Sequence, residues 1–252
     1  MPPVPPRSPY SYRSSSYGFG PGRITPAVKA LIIANVVIFL LEAVYPPLIT
    51  YFGLMPVAVF ENFRIWQVVT YLFLHADPFH LILNMLTLWM FGVELERTWG
   101  TQAFVRYYFV CGIGAGLTSL LVSWLPFDFA TTVYLSNTVG ASGAIYGLLL
   151  AYGMIFKDRP IYMYFLFPIP AKWFVIITGA LVLWASVTDI TGGVSHVAHL
   201  GGMAFGYFYL QRGRGGPWAE IKYRYTKWRL NRLRRKFDVH PGGRRTPDRW
   251  VH

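Results

Sequence analysis

Long apolar stretches alternate along the chain with short breaks of Pro, Gly or charge. A helix that crosses a bilayer needs ~20 mostly apolar residues. Six stretches approach that length, at 27–45, 78–95, 102–124, 140–156, 171–190 and 195–211. The pattern predicts an all-α membrane protein built as a bundle of six transmembrane helices. Two departures from regularity carry information. The segment 46–78 is too long for a bare connector, and its Tyr51, Phe52, Phe60, Phe63, Trp66 and Tyr71 suit a loop lying in the membrane interface between helices 1 and 2. The fourth stretch follows the polar run TTVYLSNT and ends at Lys157. At 1.5 Å per residue it reaches ~25 Å, short of a ~30 Å hydrocarbon core, so a short fourth helix with a recessed outer end is expected. No internal period of 20 to 50 residues is visible, which disfavours an inverted-repeat transporter.

Composition agrees with the pattern, since 54% of the 252 residues are hydrophobic and 13% charged, with a mean hydropathy of +0.38. A net charge of +12 raises nucleic acid or acidic lipid as partners, and its placement chooses between them. From Arg212 onward stand 13 Lys or Arg against Glu220, Asp238 and Asp248. A basic cluster just beyond a span suits anionic lipid on the cytoplasmic leaflet and not nucleic acid. With both termini cytoplasmic, 22 of the 23 Lys and Arg fall inside and Arg64 alone outside, as positive residues orient membrane proteins. Three regions follow: a Pro/Ser/Tyr-rich tail at 1–25 expected to be disordered, a helical domain at 26–211, and a basic tail at 212–252 with a candidate interfacial helix over 218–237. The first residues lack the charged-then-apolar order of a signal peptide. Cys111 is the single cysteine, so no disulfide forms within the chain.

Polar groups inside spans are costly and demand a reason. Ser142 lies in Gly140-Ala141-Ser142-Gly143 at the start of the fourth span. There a hydroxyl sits beside unpaired backbone N–H groups and the positive end of a helix dipole, which favour a developing oxyanion; small residues at such positions also serve plain helix packing. His196 and His199 occupy the sixth span, and imidazole is the usual base for a serine nucleophile. His199, Gly202 and Gly206 share a helix face, matched by Gly143, Gly147 and Ala151 on span four, so close packing would bring Ser142 and His199 together. His196 is turned away and expected at the interface. His80 and Asn84, four residues apart, face one way and could either donate to an oxyanion or bridge helices. Glu94, Glu96 and Arg97 at the far end of span two suit a salt bridge. Only Asp77 and Asp189 are loosely placed to orient a histidine, so a dyad is expected, with Tyr146, one turn after Ser142, stacked on the imidazole.

Taken together, HADPFHLILNMLTLWMFGVELE, GASGAIYG and AHLGG, in that order on separate spans, resemble the rhomboid family of intramembrane serine proteases. The likeness covers about residues 26–211. It implies a rhomboid-type bundle in which Ser142 and His199 cleave peptide bonds through an acyl-enzyme. Asn84, His80 and the backbone N–H of Ser142 would form the oxyanion hole, supported by Gly140, Gly143, Tyr146 and Gly202. It further implies no metal or other cofactor, and single-span membrane proteins as substrates, cut near the outer interface. A monomer in a prokaryotic plasma membrane is expected. Two rivals stay open: a catalytically silent relative that binds or chaperones membrane proteins, and a membrane metallohydrolase using His75, His80, His196 and His199.

Overall fold

The computed structural model describes residues 21–163, 167–188 and 193–213, with 226, 227, 229 and 232 in the tail. The 1–20 part of the N-terminal tail and Asp189 lie outside the described residues. So does the expected helix at 218–237, except for the four tail residues, which are helical. The chain divides into a unit over 1–207 and a second over 208–252.

Helix α1 (Pro26–Val44) begins with proline at its first position, where the missing N–H costs no helical bond. Its free N–H groups meet a carboxylate: Glu96 accepts from the backbone of Ala27 and Val28 at 3.0 Å each. Its two oxygens also accept the hydroxyls of Thr25 at 2.5 Å and Thr101 at 2.8 Å. Negative charge at a helix N-terminus is favourable, and this one ties the start of α1 to the end of the second long helix. The expected salt bridge therefore resolves into separate roles. Glu96 clamps α1, Arg97 donates to the carbonyls of Pro21 and Arg23, and Glu94 pairs with Arg159.

The segment 46–78 is more ordered than an interfacial loop requires. It folds into α2 (Pro47–Phe52), α3 (Pro56–Asn62), α4 (Gln67–Thr70) and a 3₁₀ turn at Tyr71–Phe73. Prolines open α2 and α3, and Phe63, with φ of 55°, closes α3. Its aromatics divide: Tyr51, Phe63 and Trp66 are exposed, whereas Tyr71 is buried and donates its hydroxyl to the carbonyl of Gly112 at 2.6 Å. Side-chain period could not separate these, since short helices joined by turns have no long periodic face.

The second long helix runs Pro78–Trp99 as α5 (Pro78–Thr87), a wide turn at Leu88–Gly92 and α6 (Val93–Trp99). It continues four residues past its apolar stretch. Helix α7 (Thr101–Val122) is central. Its small side presents Cys111, Gly112, Gly114, Ala115 and Gly116, against which Leu72, Phe205, Gly143, Gly147 and Tyr71 pack closely. The polar run before span four, read as a break, begins inside helix α8 (Asp128–Leu135). Helix α9 (Ser142–Ile155) has 14 residues, giving ~21 Å, shorter still than expected. The all-α reading needs one correction: after α9 an antiparallel hairpin pairs β1 (Pro160–Met163) with β2 (Phe167–Pro170). Beside it Lys172 bridges Asp158 at 2.8 Å and holds that carboxyl below the usual carboxylate range. Helices α10 (Ala171–Thr188) and α11 (Gly193–Gly213) follow.

Among the described residues, α1, Pro78–Trp99 and α7 are long and apolar enough to cross a membrane, and Ser142–Ile155 and Ala171–Trp184 are shorter apolar helices. Their outward faces carry large apolar side chains such as Leu40, Ile82, Leu121 and Trp184, as lipid contact requires. Removing the Glu96 acceptor strips bonds from several donors at once. Glu96→Ala is expected to lower unfolding stability in detergent by about 1–3 kcal/mol, and Glu96→Gln by less; thermal melting measures both.

Candidate active site

Ser142 and His199 meet because two backbones touch. A Cβ on Gly202 would lie 1.9 Å from the carbonyl oxygen of Gly143, and one on Gly147 would lie 3.2 Å from the carbonyl oxygen of Gly202. No side chain fits there, so α9 and α11 approach as only glycine-lined helices can. At the end of this seam the Nε2 of His199 lies 2.8 Å from the Oγ of Ser142. The Tyr146 ring stacks on the imidazole, with centroids 4.2 Å apart and planes inclined by 20°. The second ring nitrogen, Nδ1, is buried and has no hydrogen-bond partner among the described residues. Asp77, one of the two acids considered as its orienter, is occupied elsewhere, accepting the backbone N–H of His80 at 2.8 Å as the N-cap of α5.

The serine itself is held by the segment 46–78. Leu54 and Thr138 exchange backbone hydrogen bonds of 2.9 and 2.8 Å, and Asn137 donates to the carbonyl of Ile49 at 2.9 Å. The N–H of Gly140 donates to the carbonyl of Tyr71 at 2.9 Å. Gly140 has φ of 121°, where a side chain is strained. A Cβ there would also meet the His80 ring at 2.8 Å and stand 3.6 Å from Ser142 Oγ. His80 therefore borders the serine across Gly140. The Gly140 N–H is spent on Tyr71, whereas the first N–H groups of α9 have no partner within the helix.

Asn84 is buried one turn deeper, its Nδ2 donating to the His80 carbonyl at 2.8 Å. A side-chain amide has two N–H donors, so one stays free for a ligand. His196 is nearer than its interfacial assignment implied: its ring lies 5.9 Å from that of His199, with Nδ1 buried. His75 is fully buried, edge-on to His80 at 5.1 Å. Among the described residues no three His, Cys, Asp or Glu side chains converge as a metal site would need.

One residue escaped the sequence reading. Glu42, 4% exposed near the end of α1, accepts the His75 backbone N–H at 3.4 Å. The signal was present, since an acid in the run IFLLEAV is out of place without a partner.

A hydroxyl and an imidazole in hydrogen-bond contact are thus set among apolar helices. The sequence comparisons then give the family. The model for the rhomboid domain matches residues 62–212, and the chain belongs to the rhomboid family. It is similar to Rhomboid protein 1, mitochondrial, of Saccharomyces cerevisiae, at 34% identity over 54% of this chain and 38% of that protein. Rhomboid protease AarA of Providencia stuartii matches at 28% identity over 56% and 53% of the two chains. Rhomboid protease GluP of Bacillus subtilis matches at 31% over 57% and 25%. The chain thus spans about half or less of the length of these relatives. Family and apolar helices together make it an integral membrane protein. The relatives include mitochondrial and bacterial proteins, so the likeness does not favour the prokaryotic membrane expected from the sequence.

The glycine seam is open to a direct check. Gly202→Ala drives a methyl group into backbone and is expected to cost at least the ~1–3 kcal/mol of an overpacked core. Gly179→Ala, whose Cβ would meet the flexible end of Met203 at 3.2 Å, is expected to melt within a few degrees of wild type.

Proposed function

We propose that this chain is an intramembrane serine endopeptidase acting through a Ser142–His199 dyad. The observation that carries the reading is the 2.8 Å contact between Ser142 Oγ and His199 Nε2 beneath the stacked Tyr146 ring. His199 Nε2 accepts the hydroxyl proton as Ser142 Oγ attacks the substrate carbonyl carbon. Negative charge then develops on the carbonyl oxygen. The Ser142 N–H at the start of α9, the free amide N–H of Asn84 and the His80 ring are the donors that stabilise it. When the tetrahedral intermediate collapses, His199 returns its proton to the leaving amine and an acyl-enzyme stays on Ser142. Water, deprotonated by the same imidazole, releases the second product. No acid orients the ring in this scheme; stacking on Tyr146 does so.

The substrates are membrane-spanning segments, cut where their helix unwinds near the outer interface, because a carbonyl bonded within a helix cannot turn towards Ser142. Six spans with both termini cytoplasmic complete the reading, supported by the distribution of Lys and Arg. A silent, purely binding relative has no use for a hydroxyl and an imidazole held in hydrogen-bond contact.

The experiment is cleavage of a single-span reporter by detergent-purified protein, alongside labelling by a fluorophosphonate. Ser142→Ala is expected to abolish both, and His199→Ala to abolish cleavage, with melting temperatures near wild type. Undiminished cleavage by Ser142→Ala would refute the proposal. Asn84→Ala is expected to lose about 10- to 1000-fold in rate, since other oxyanion donors persist. Tyr146→Phe keeps the ring and is expected to stay within about threefold of wild type, whereas Tyr146→Ala falls by about tenfold or more in kcat, a loss of about 1.4 kcal/mol in barrier terms.

A further inference from the structure

Two adjoining cavities lie between the end of α1 and the helices of the segment 46–78, away from Ser142. The first, about 250 Å³, is walled by Ile38 and Leu41 of α1, Leu48, Phe73 and Leu74, with Phe52 and Thr70 completing it. The Thr70 hydroxyl donates to the carbonyl of Phe52 at 2.7 Å, so its polarity is satisfied inside the protein. The second cavity, about 400 Å³, shares the walls Leu48 and Phe52 and adds Tyr45, Tyr51 and Arg64. The guanidinium of Arg64 lies over the Tyr51 ring, 4.9 Å from its centroid. Neither ion pair among the described residues involves it. Of the lining residues, Leu41, Tyr45 and Tyr51 are 52%, 60% and 47% exposed.

The two cavities thus form one cleft, apolar at one end and cationic at the other. An apolar cavity of this kind stays dry and takes hydrocarbon. A peptide segment would bring backbone N–H and C=O groups into a wall that offers them no partner, at several kcal/mol each in an apolar medium. The forked donors of an arginine match the oxygens of a phosphate in pairs, and a flat aromatic beneath the guanidinium fixes its plane. We propose that this cleft binds one glycerophospholipid of the surrounding bilayer, with an acyl chain in the apolar cavity and the phosphodiester on Arg64. The lipid seals the joint between α1 and α2. The site is separate from catalysis and stands whether or not the protein is a protease.

Native mass spectrometry of the purified protein tests it, with palmitoyl-oleoyl phosphatidylglycerol as one probe and palmitoyl-oleoyl glycerol, which lacks the phosphate, as another. Wild type is expected to retain one phosphatidylglycerol at collision energies that strip all others. Arg64→Gln is expected to weaken that binding by about tenfold, the scale of a lost charge-assisted hydrogen bond, and Arg64→Lys to recover part of it. The phosphate-free lipid is expected to bind wild type and Arg64→Gln alike, and inorganic phosphate to compete poorly because it leaves the apolar end empty. Leu48→Trp, which fills the shared wall, is expected to weaken both lipids. Equal retention of phosphatidylglycerol by wild type, Arg64→Gln and Leu48→Trp would overturn the proposal and mark the bound lipid as nonspecific.

Discussion

Everything at the candidate site depends on the distance of closest approach between α9 and α11. The carbonyl of Gly143 occupies the space in which any side chain at 202 would stand. Lipid tails are as apolar as the helix surfaces they cover, so water exclusion does little to press spans together inside a bilayer; fit and dispersion do. Where two backbones come this close, groups attached one to three residues away are carried into hydrogen-bond range. The 2.8 Å contact of Ser142 with His199 is such a by-product.

A second set of forces acts across the seam. The rest of the site is held by hydrogen bonds between main-chain groups of the segment 46–78, at Leu54, Ile49 and Tyr71, and the residues that precede the serine. Gly140 is pinned by Tyr71 on one side and pressed by His80 on the other. Three parts of the chain distant in sequence thus fix one hydroxyl. A polar active site in a membrane can be assembled this way without exposing unpaired backbone to lipid, because each group spent on support is also a group satisfied.

The large features were legible because they follow from strong physical rules. Long apolar runs find helices, and polar residues within them such as Ser142, His80, Asn84 and His199 stand out. The glycine spacing that suggested contact between α9 and α11 was readable for the same reason. What escaped was short or context-dependent. The helices α2, α3, α4 and α8 have too few turns to show a period. The hairpin at 160–170 contains four residues per strand, and its three prolines hide any strand pattern. Glu96 was taken for a salt-bridge partner because sequence shows its charge but not the α1 N-terminus, whose Ala27 lies 69 residues away. Tyr71 read as an interfacial aromatic because nothing local announces that the carbonyl of Gly112 awaits its hydroxyl.

The scaffold of the serine is made largely from main-chain groups, and that has a bearing on how such a protein can diverge. Any residue can supply a carbonyl and any except proline an N–H, so the segment 46–78 is free to change many of its side chains without moving the Ser142 hydroxyl. Drift is confined at glycines that admit a neighbouring backbone, at Tyr71, whose hydroxyl reaches another helix, and at buried Gln67, whose amide bonds the backbone of Met55 and Tyr51. Homologous loops can therefore become unrecognisable in sequence while the serine oxygen stays in register.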